Sequence, residues 1–202
     1  MTETTVRVHQ ARGRGAVGVP CGTVLMLPGY AYSCSMSLLA WTTRALQATG
    51  WTVLQAAWDP SDVPEDSRSF IEGAAAQLDA EDRPPGPVVV VAKSLGTRAA
   101  HWGAERGYPA AWLTPVLRSA GLRPVPDSDG LAERIRTYPG FSLVVGGTAD
   151  PLWRKGFQGA DEVLEIEGAD HGLEADDWRT SMRHHEHVAT AVSQFAARLL
   201  SA

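Results

Sequence analysis

The chain has little cysteine: only Cys21 and Cys34, with no CxxC spacing between them. That argues against a disulfide framework and against a cysteine-ligated metal, and leaves two small, partly buried side chains. No unbroken apolar run approaches the roughly 20 residues that a membrane helix requires, so no membrane partner is expected. Long runs of lysine or arginine are missing, and the formal charge is −5, which argues against nucleic acid as a partner. The opening residues, MTETTVRVHQ, lack a cationic stretch followed by an apolar one. A secretory signal is therefore not expected, and a cytoplasmic protein is. Internal repeats, low-complexity tracts and an interdomain linker are also missing.

What is present suits one compact domain: 202 residues, 44% hydrophobic and 20% charged. A chain of this length buries roughly 70% of its unfolded surface without staples.

Short apolar runs alternate with helical periodicity along most of its length. GTVLML (22–27) reads as a strand, and 36–50 places Leu38, Leu39, Trp41 and Leu46 at helical spacing before Gly50. WTVLQAAW (51–58) is a second strand, a loop of turn formers follows, and SFIEGAAAQLDA (69–80) is helical. DRPPGP breaks the chain before VVVV (88–91). A helix is predicted directly after Ser94, ending near Gly107, with PAAWLT (109–114) as the next strand. A loop-rich stretch to Gly140 carries one short helix around GLAERIRTY. FSLVVGG is a strand, DEVLEIEG (161–168) mixes glutamates with apolar residues as an edge strand would, and residues 181–200 form a long last helix. Residues near Arg7, Arg12 and Arg14 supply either an extra strand or hairpin, or a solvated surface. Strands apolar on both faces, separated by helices, predict an α/β fold with a mostly parallel sheet covered on both sides.

The sharpest motif is AKSLG (92–96), which follows the four valines. A serine hydroxyl is a poor nucleophile until it is exposed, paired with a base and given an oxyanion site. Small residues two positions either side of a serine permit the tight strand-to-helix turn that exposes it, and here they are Ala92 and Gly96. The competing reading is a helix-capping serine. The chain order Ser, then acid, then His decides between the two. Asp150 lies just beyond FSLVVGG with Pro151 behind it, and His171 lies beyond VLEIEG on a glycine-flanked loop. Asp150 could instead be a turn former. Asp170 is the poorer acid, being adjacent to the histidine, and Asp127 is an alternative. Backbone N–H groups of Leu95 and of Tyr30, which follows Gly29, are the expected oxyanion donors.

LPGY, KSLG, GTADP and GADHGLE together resemble the serine α/β-hydrolase superfamily, and the AKSLGTRAA segment resembles its small, capless, dienelactone-hydrolase-like bacterial members. The resemblance runs from about Thr23 to the last helix. It implies a doubly wound sheet with helices on both faces, no large cap domain, and Ser94, Asp150 and His171 as catalytic residues. Pro28 stands where many relatives carry histidine, and Lys93 departs from the usual form of the turn, where it packs or pairs without an assigned role. The resemblance further implies a small ester or thioester as the acyl substrate and no cofactor. The 26 residues from Pro115 to Gly140 are too few for a sizeable cap.

Tyr32, Trp153 and Trp178 lie near the proposed loops and are candidate pocket walls, or else core and lid packing. His184 and His187 share a helix face, but no third ligand stands at a readable spacing, so a solvated helix end is the better reading and no metal is expected. His101 reads as a surface or packing residue. The same three residues could run a lyase, cyclisation or acyl-transfer reaction, or the fold could serve a binding protein.

Overall fold

The computed structural model describes residues 6–11, 20–118 and 128–200. Seven strands, β1 (Arg7–Gln10), β2 (Gly22–Leu27), β3 (Trp51–Ala57), β4 (Val88–Lys93), β5 (Ala110–Leu113), β6 (Ser142–Gly147) and β7 (Glu162–Ile166), form one sheet in the order β1-β3-β2-β4-β5-β6-β7. All neighbours are parallel except β1, which runs antiparallel to β3 with Arg7 opposite Ala57. The segment around Arg7 is thus a strand, while Arg12 and Arg14 lie outside the described residues. β7 is the other edge, in keeping with its glutamates.

Among the described residues four α-helices join these strands, α1 (Ser37–Ala48), α2 (Ser67–Ala80), α3 (Ala100–Arg106) and α4 (Ser128–Arg136), and α5 (Trp178–Arg198) follows the last strand. Alternate residues of the central strands point to opposite faces, and every residue of β2, β4, β5 and β6 is buried. Val24, Met26, Val89, Val91 and Val145 meet Leu38, Leu39 and Leu46 of α1 and Val188, Val192 and Phe195 of α5. On the other face Leu25, Val90, Trp112 and Val144 meet α2, α3 and α4 through Ile71, Leu78, Trp102, Leu131 and Ile135. The α4 helix therefore packs on that face of the sheet.

The helix boundaries follow local chemistry. Gly50 takes φ +92, a conformation that ends α1 and that side chains disfavour. Asp177 caps α5, its carboxylate accepting from Thr180 N, so this helix begins three residues before the expected 181. The segment after β4 also differs from expectation. Ser94–Ala99 forms a 3₁₀ helix before α3 begins. Gly96 N–H, which like the other amides at the start of a helix has no acceptor within it, donates to Pro28 O at 3.1 Å. Among the described residues no helix is long and apolar enough to cross a membrane.

The chain leaves β2 toward β3 on one side and then returns past β2 to place β4 on its other side. This reversal opens a crevice at the carboxyl ends of β2 and β4, the place where such sheets bind ligands. Tyr30 and Ser94 stand on the loops at those two strand ends.

Candidate active site

Ser94 adopts φ +50 immediately after β4, a left-handed conformation for a residue with a side chain. Conformations of this kind cost about 1–3 kcal/mol and persist only where neighbours hold them. Gly96 supplies part of that hold. A Cβ there would lie 2.6 Å from Pro28 O and 2.7 Å from Leu27 O, so only glycine lets the turn nest against the end of β2. Ala92, at the other flank, is fully buried with its methyl accommodated. The serine does not cap the helix: its Oγ is 2.8 Å from His171 Nε2.

His171 sits on the loop between β7 and α5. Gly168 turns the chain at φ +71, and Asp170 Oδ1 then accepts from the backbone amides of Gly172 at 2.7 Å and Glu174 at 2.9 Å. Asp170 thus builds the loop, with its carboxylate committed to main-chain donors. From beneath, His185 Nε2 stands 3.1 Å from Gly172 O and ties the loop to α5. His185 is buried, so RHHEHV is not wholly a solvated helix end, although His187 is exposed.

Asp150 approaches from the loop after β6. It is 4% exposed, its Oδ1 accepts from Leu152 N at 2.8 Å, and its Oδ2 lies 2.7 Å from His171 Nδ1. The loops of acid and histidine are laced together through Ala149 N–H to Ala169 O at 3.0 Å. A Cβ on Gly147 would strike that same carbonyl. The structure therefore brings Ser94, His171 and Asp150 into one hydrogen-bonded line. Asp127 lies outside the described residues.

The loop after β2 comes up beside the serine, where a Cβ on Gly29 would stand 3.4 Å from Ser94 Cβ. Neither Tyr30 N–H nor Leu95 N–H takes part in a turn or loop hydrogen bond among the described residues. Leu95, second in its 3₁₀ helix, also precedes the first amide that can donate within it.

The three candidate pocket aromatics separate. Tyr32 is partly buried and accepts from Leu38 N at 3.0 Å. Trp178 is exposed on the first turn of α5, where it lines a groove with Trp41 and Arg44 of α1. Trp153 is a correction to the expected pocket wall: it is 2% exposed, packs beside Phe157 in the core, and donates its indole N–H to Glu165 at 2.7 Å. His101 on α3 accepts from Arg134 of α4.

Sequence reasoning left Lys93 without a role. It is 2% exposed, and its Nζ donates to Thr114 Oγ1 at 3.2 Å and to His171 O at 3.1 Å, while lying 4.4 Å from the centre of the Tyr32 ring. Burial lowers its pKa to about 8, with Asp150, Asp170 and Glu174 acting in the opposite direction. A lysine closing an otherwise apolar strand was the available signal.

Among the described residues, no group of three or more His, Cys, Asp or Glu side chains is arranged to hold a metal ion. Both cysteines are free thiols, and burial pushes Cys34 up to about 12.

No protein-family model and no curated protein sequence matches the chain. Solved structures do. Est1E from Butyrivibrio proteoclasticus, seen with ferulic acid bound, superposes with a TM-score of 0.72 at 14% identity, covering 98% of this chain and 96% of that one. The esterase domain of a Rhodothermus marinus protein gives 0.67 at 15% identity, over 97% and 99% of the two chains. XC6422 from Xanthomonas campestris, a serine hydrolase without a lid, gives 0.60 at 17% identity, over 98% and 90%. This chain has the α/β-hydrolase fold, and among the described residues there is no separate cap domain.

Proposed function

We propose that the protein is a serine hydrolase that cleaves a small ester or thioester through an acyl-enzyme. The observation that carries this reading is the continuous Ser94 Oγ to His171 Nε2 to Asp150 contact, 2.8 and 2.7 Å, at a serine held at φ +50.

In this reading Ser94 attacks the acyl carbonyl while its proton passes to His171 Nε2. Asp150 accepts the Nδ1–H, fixes the tautomer and stabilises the imidazolium that forms. The carbonyl oxygen, now an anion, is received by the backbone N–H groups of Tyr30 and Leu95. Collapse of the adduct expels the alcohol or thiol, which takes the proton from His171 and leaves the acyl group on Ser94. Water then enters, gives a proton to His171 and attacks the ester. The second collapse frees the acid and returns the proton to Ser94. Each step balances with no cofactor.

The surroundings fit a modest substrate. Tyr30 is exposed and the His171 side chain retains 30% of its accessibility, so small esters can reach the serine. Since Est1E was seen with ferulic acid, hydroxycinnamoyl esters belong in a substrate panel beside short aliphatic esters and thioesters.

A fluorophosphonate probe tests the reading without knowledge of the substrate. Labelling of the wild type at Ser94 is expected, abolished in Ser94→Ala and slowed at least ~10³-fold in His171→Ala. Folded wild-type protein that resists the probe would sink it. Labelling without turnover of any ester or thioester would instead favour transfer or lyase chemistry on the same residues.

A further inference from the structure

Lys93 stands where the physical chemistry favours an apolar side chain. It is the last residue of a strand buried along its whole length, on the face that carries Val89 and Val91. A leucine or methionine there would fill similar space without desolvating an ammonium, and buried charges are commonly replaceable by apolar residues at no loss of stability. The partners it reaches come from three different loops or strand ends. Thr114 directly follows β5 at φ +43, Tyr32 belongs to the loop after β2, and His171 O belongs to the loop after β7. The ammonium contacts the main chain of the residue proposed as base while its own backbone leads into the residue proposed as nucleophile.

We propose that Lys93 is a positioning residue for the serine–histidine pair: its ammonium, bonded to His171 O and Thr114 Oγ1 and resting on the Tyr32 ring, sets the height of the imidazole over Ser94. This inference rests on the serine-hydrolase reading. Neighbouring charges explain why a cation serves. Asp150 from the β6 loop and Asp170 and Glu174 from the β7 loop face it, together with His171 itself and Tyr32. From α5, His185 braces the adjacent carbonyl of Gly172. All three carboxylates favour the charged form of Lys93. Its attachment has a built-in upper pH limit, because desolvation brings its pKa to about 8. Above that pH the neutral amine still donates a hydrogen bond but no longer attracts the carboxylates or the ring face. Tyr32 loses its proton only above its usual value of 10, since burial raises it, so it does not compete within this window.

The test is the rate of fluorophosphonate labelling from pH 6.5 to 9.5, resolved into kinact and KI, for wild type, Lys93→Met, Lys93→Arg and Thr114→Val, with circular dichroism confirming the fold. Wild-type kinact is expected to fall as pH rises through about 8. In Lys93→Met it is expected to be about 10- to 100-fold lower at pH 7, with KI within about 3-fold and no step near 8, as a shift in geometry costs rate more than binding. Lys93→Arg should recover much of the rate and also lose the step, because a guanidinium does not titrate there. A step that persists in Lys93→Met, or a Lys93→Met rate within about 3-fold of wild type, overturns the inference while leaving the hydrolase reading intact. Wild-type protein that never labels overturns both. Should Lys93→Met fail to fold, Thr114→Val decides: it removes one acceptor, and a kinact equal to wild type at every pH refutes the role.

Discussion

Gly96 has no room for a side chain, and the chemistry proposed for its neighbour depends on that. Two backbone carbonyls, of Leu27 and Pro28, occupy the space a methyl would need. Gly96→Ala must push the turn away from the end of β2 and carry Ser94 with it. The expected result is a loss of fluorophosphonate labelling of about 100-fold, with destabilisation of ~1–3 kcal/mol in urea unfolding. Unchanged labelling would show that Ser94 does not depend on this packing. Ala92 asks less of its surroundings, which is why the Ala-x-Ser-x-Gly form suffices here. At this scale the serine turn was legible in sequence, since smallness at 92 and 96 is a local demand. The role of Lys93 was not, because each of its partners, Tyr32, Thr114 and His171, lies at least 21 positions away.

At the scale of elements, two aspartates on either side of the histidine loop do separate jobs. Asp170 folds the loop on itself through the amides of Gly172 and Glu174, whereas Asp177 caps α5. Asp177→Ala should cost ~1 kcal/mol of stability, the usual value of a capping side chain, with labelling of Ser94 within about 3-fold of wild type. Asp170→Ala should do the reverse: labelling down about 10-fold or more for a small change in melting temperature, as the imidazole loses its fixed height. Equal effects of the two variants on labelling would show that the loop is held by α5 and not by its own turn. Strands β2 to β7 and the α-helices were readable from periodicity, whereas the residues of β1 allow either a strand or a solvated surface. The 3₁₀ geometry of Ser94–Ala99 was not readable, because apolar periodicity over six residues does not separate a 3₁₀ turn from the start of an α-helix.

For the molecule as a whole, the buried lysine links stability to pH. Lys93 in the folded state loses its proton near 8, while its ordinary value is 10.5. Between these limits the unfolded chain binds the proton more tightly, so this group makes stability rise with pH. The buried thiol of Cys34 works the other way. Its ordinary value is 9 and its folded value about 12, so from pH 9 upward the unfolded chain gains by ionising and stability falls. Chemical denaturation is therefore expected to show stability increasing by about 1 kcal/mol from pH 8 to 9 in the wild type, and no such increase in Lys93→Met. A flat wild-type profile over that interval would contradict the burial of the ammonium. The same range in which stability is expected to rise is the one in which labelling is expected to fall. That opposition is what a charge held for function at a cost to the fold produces.

The sequence by itself determined the alternation of apolar strands and amphipathic helices, the need for small residues around Ser94, and the order in which a serine, an aspartate and a histidine follow successive strands. These are properties of neighbouring residues, fixed by side-chain periodicity and backbone sterics. Only the tertiary structure decided which aspartate meets the imidazole: Asp170 is spent on its own loop, and Asp150 reaches across from another strand. It also decided that Trp153 belongs to the core, that His185 lies under the histidine loop, and that Lys93 joins three loops. Those outcomes depend on which strand ends the sheet order sets side by side, and contacts between distant segments leave no periodic trace in either one.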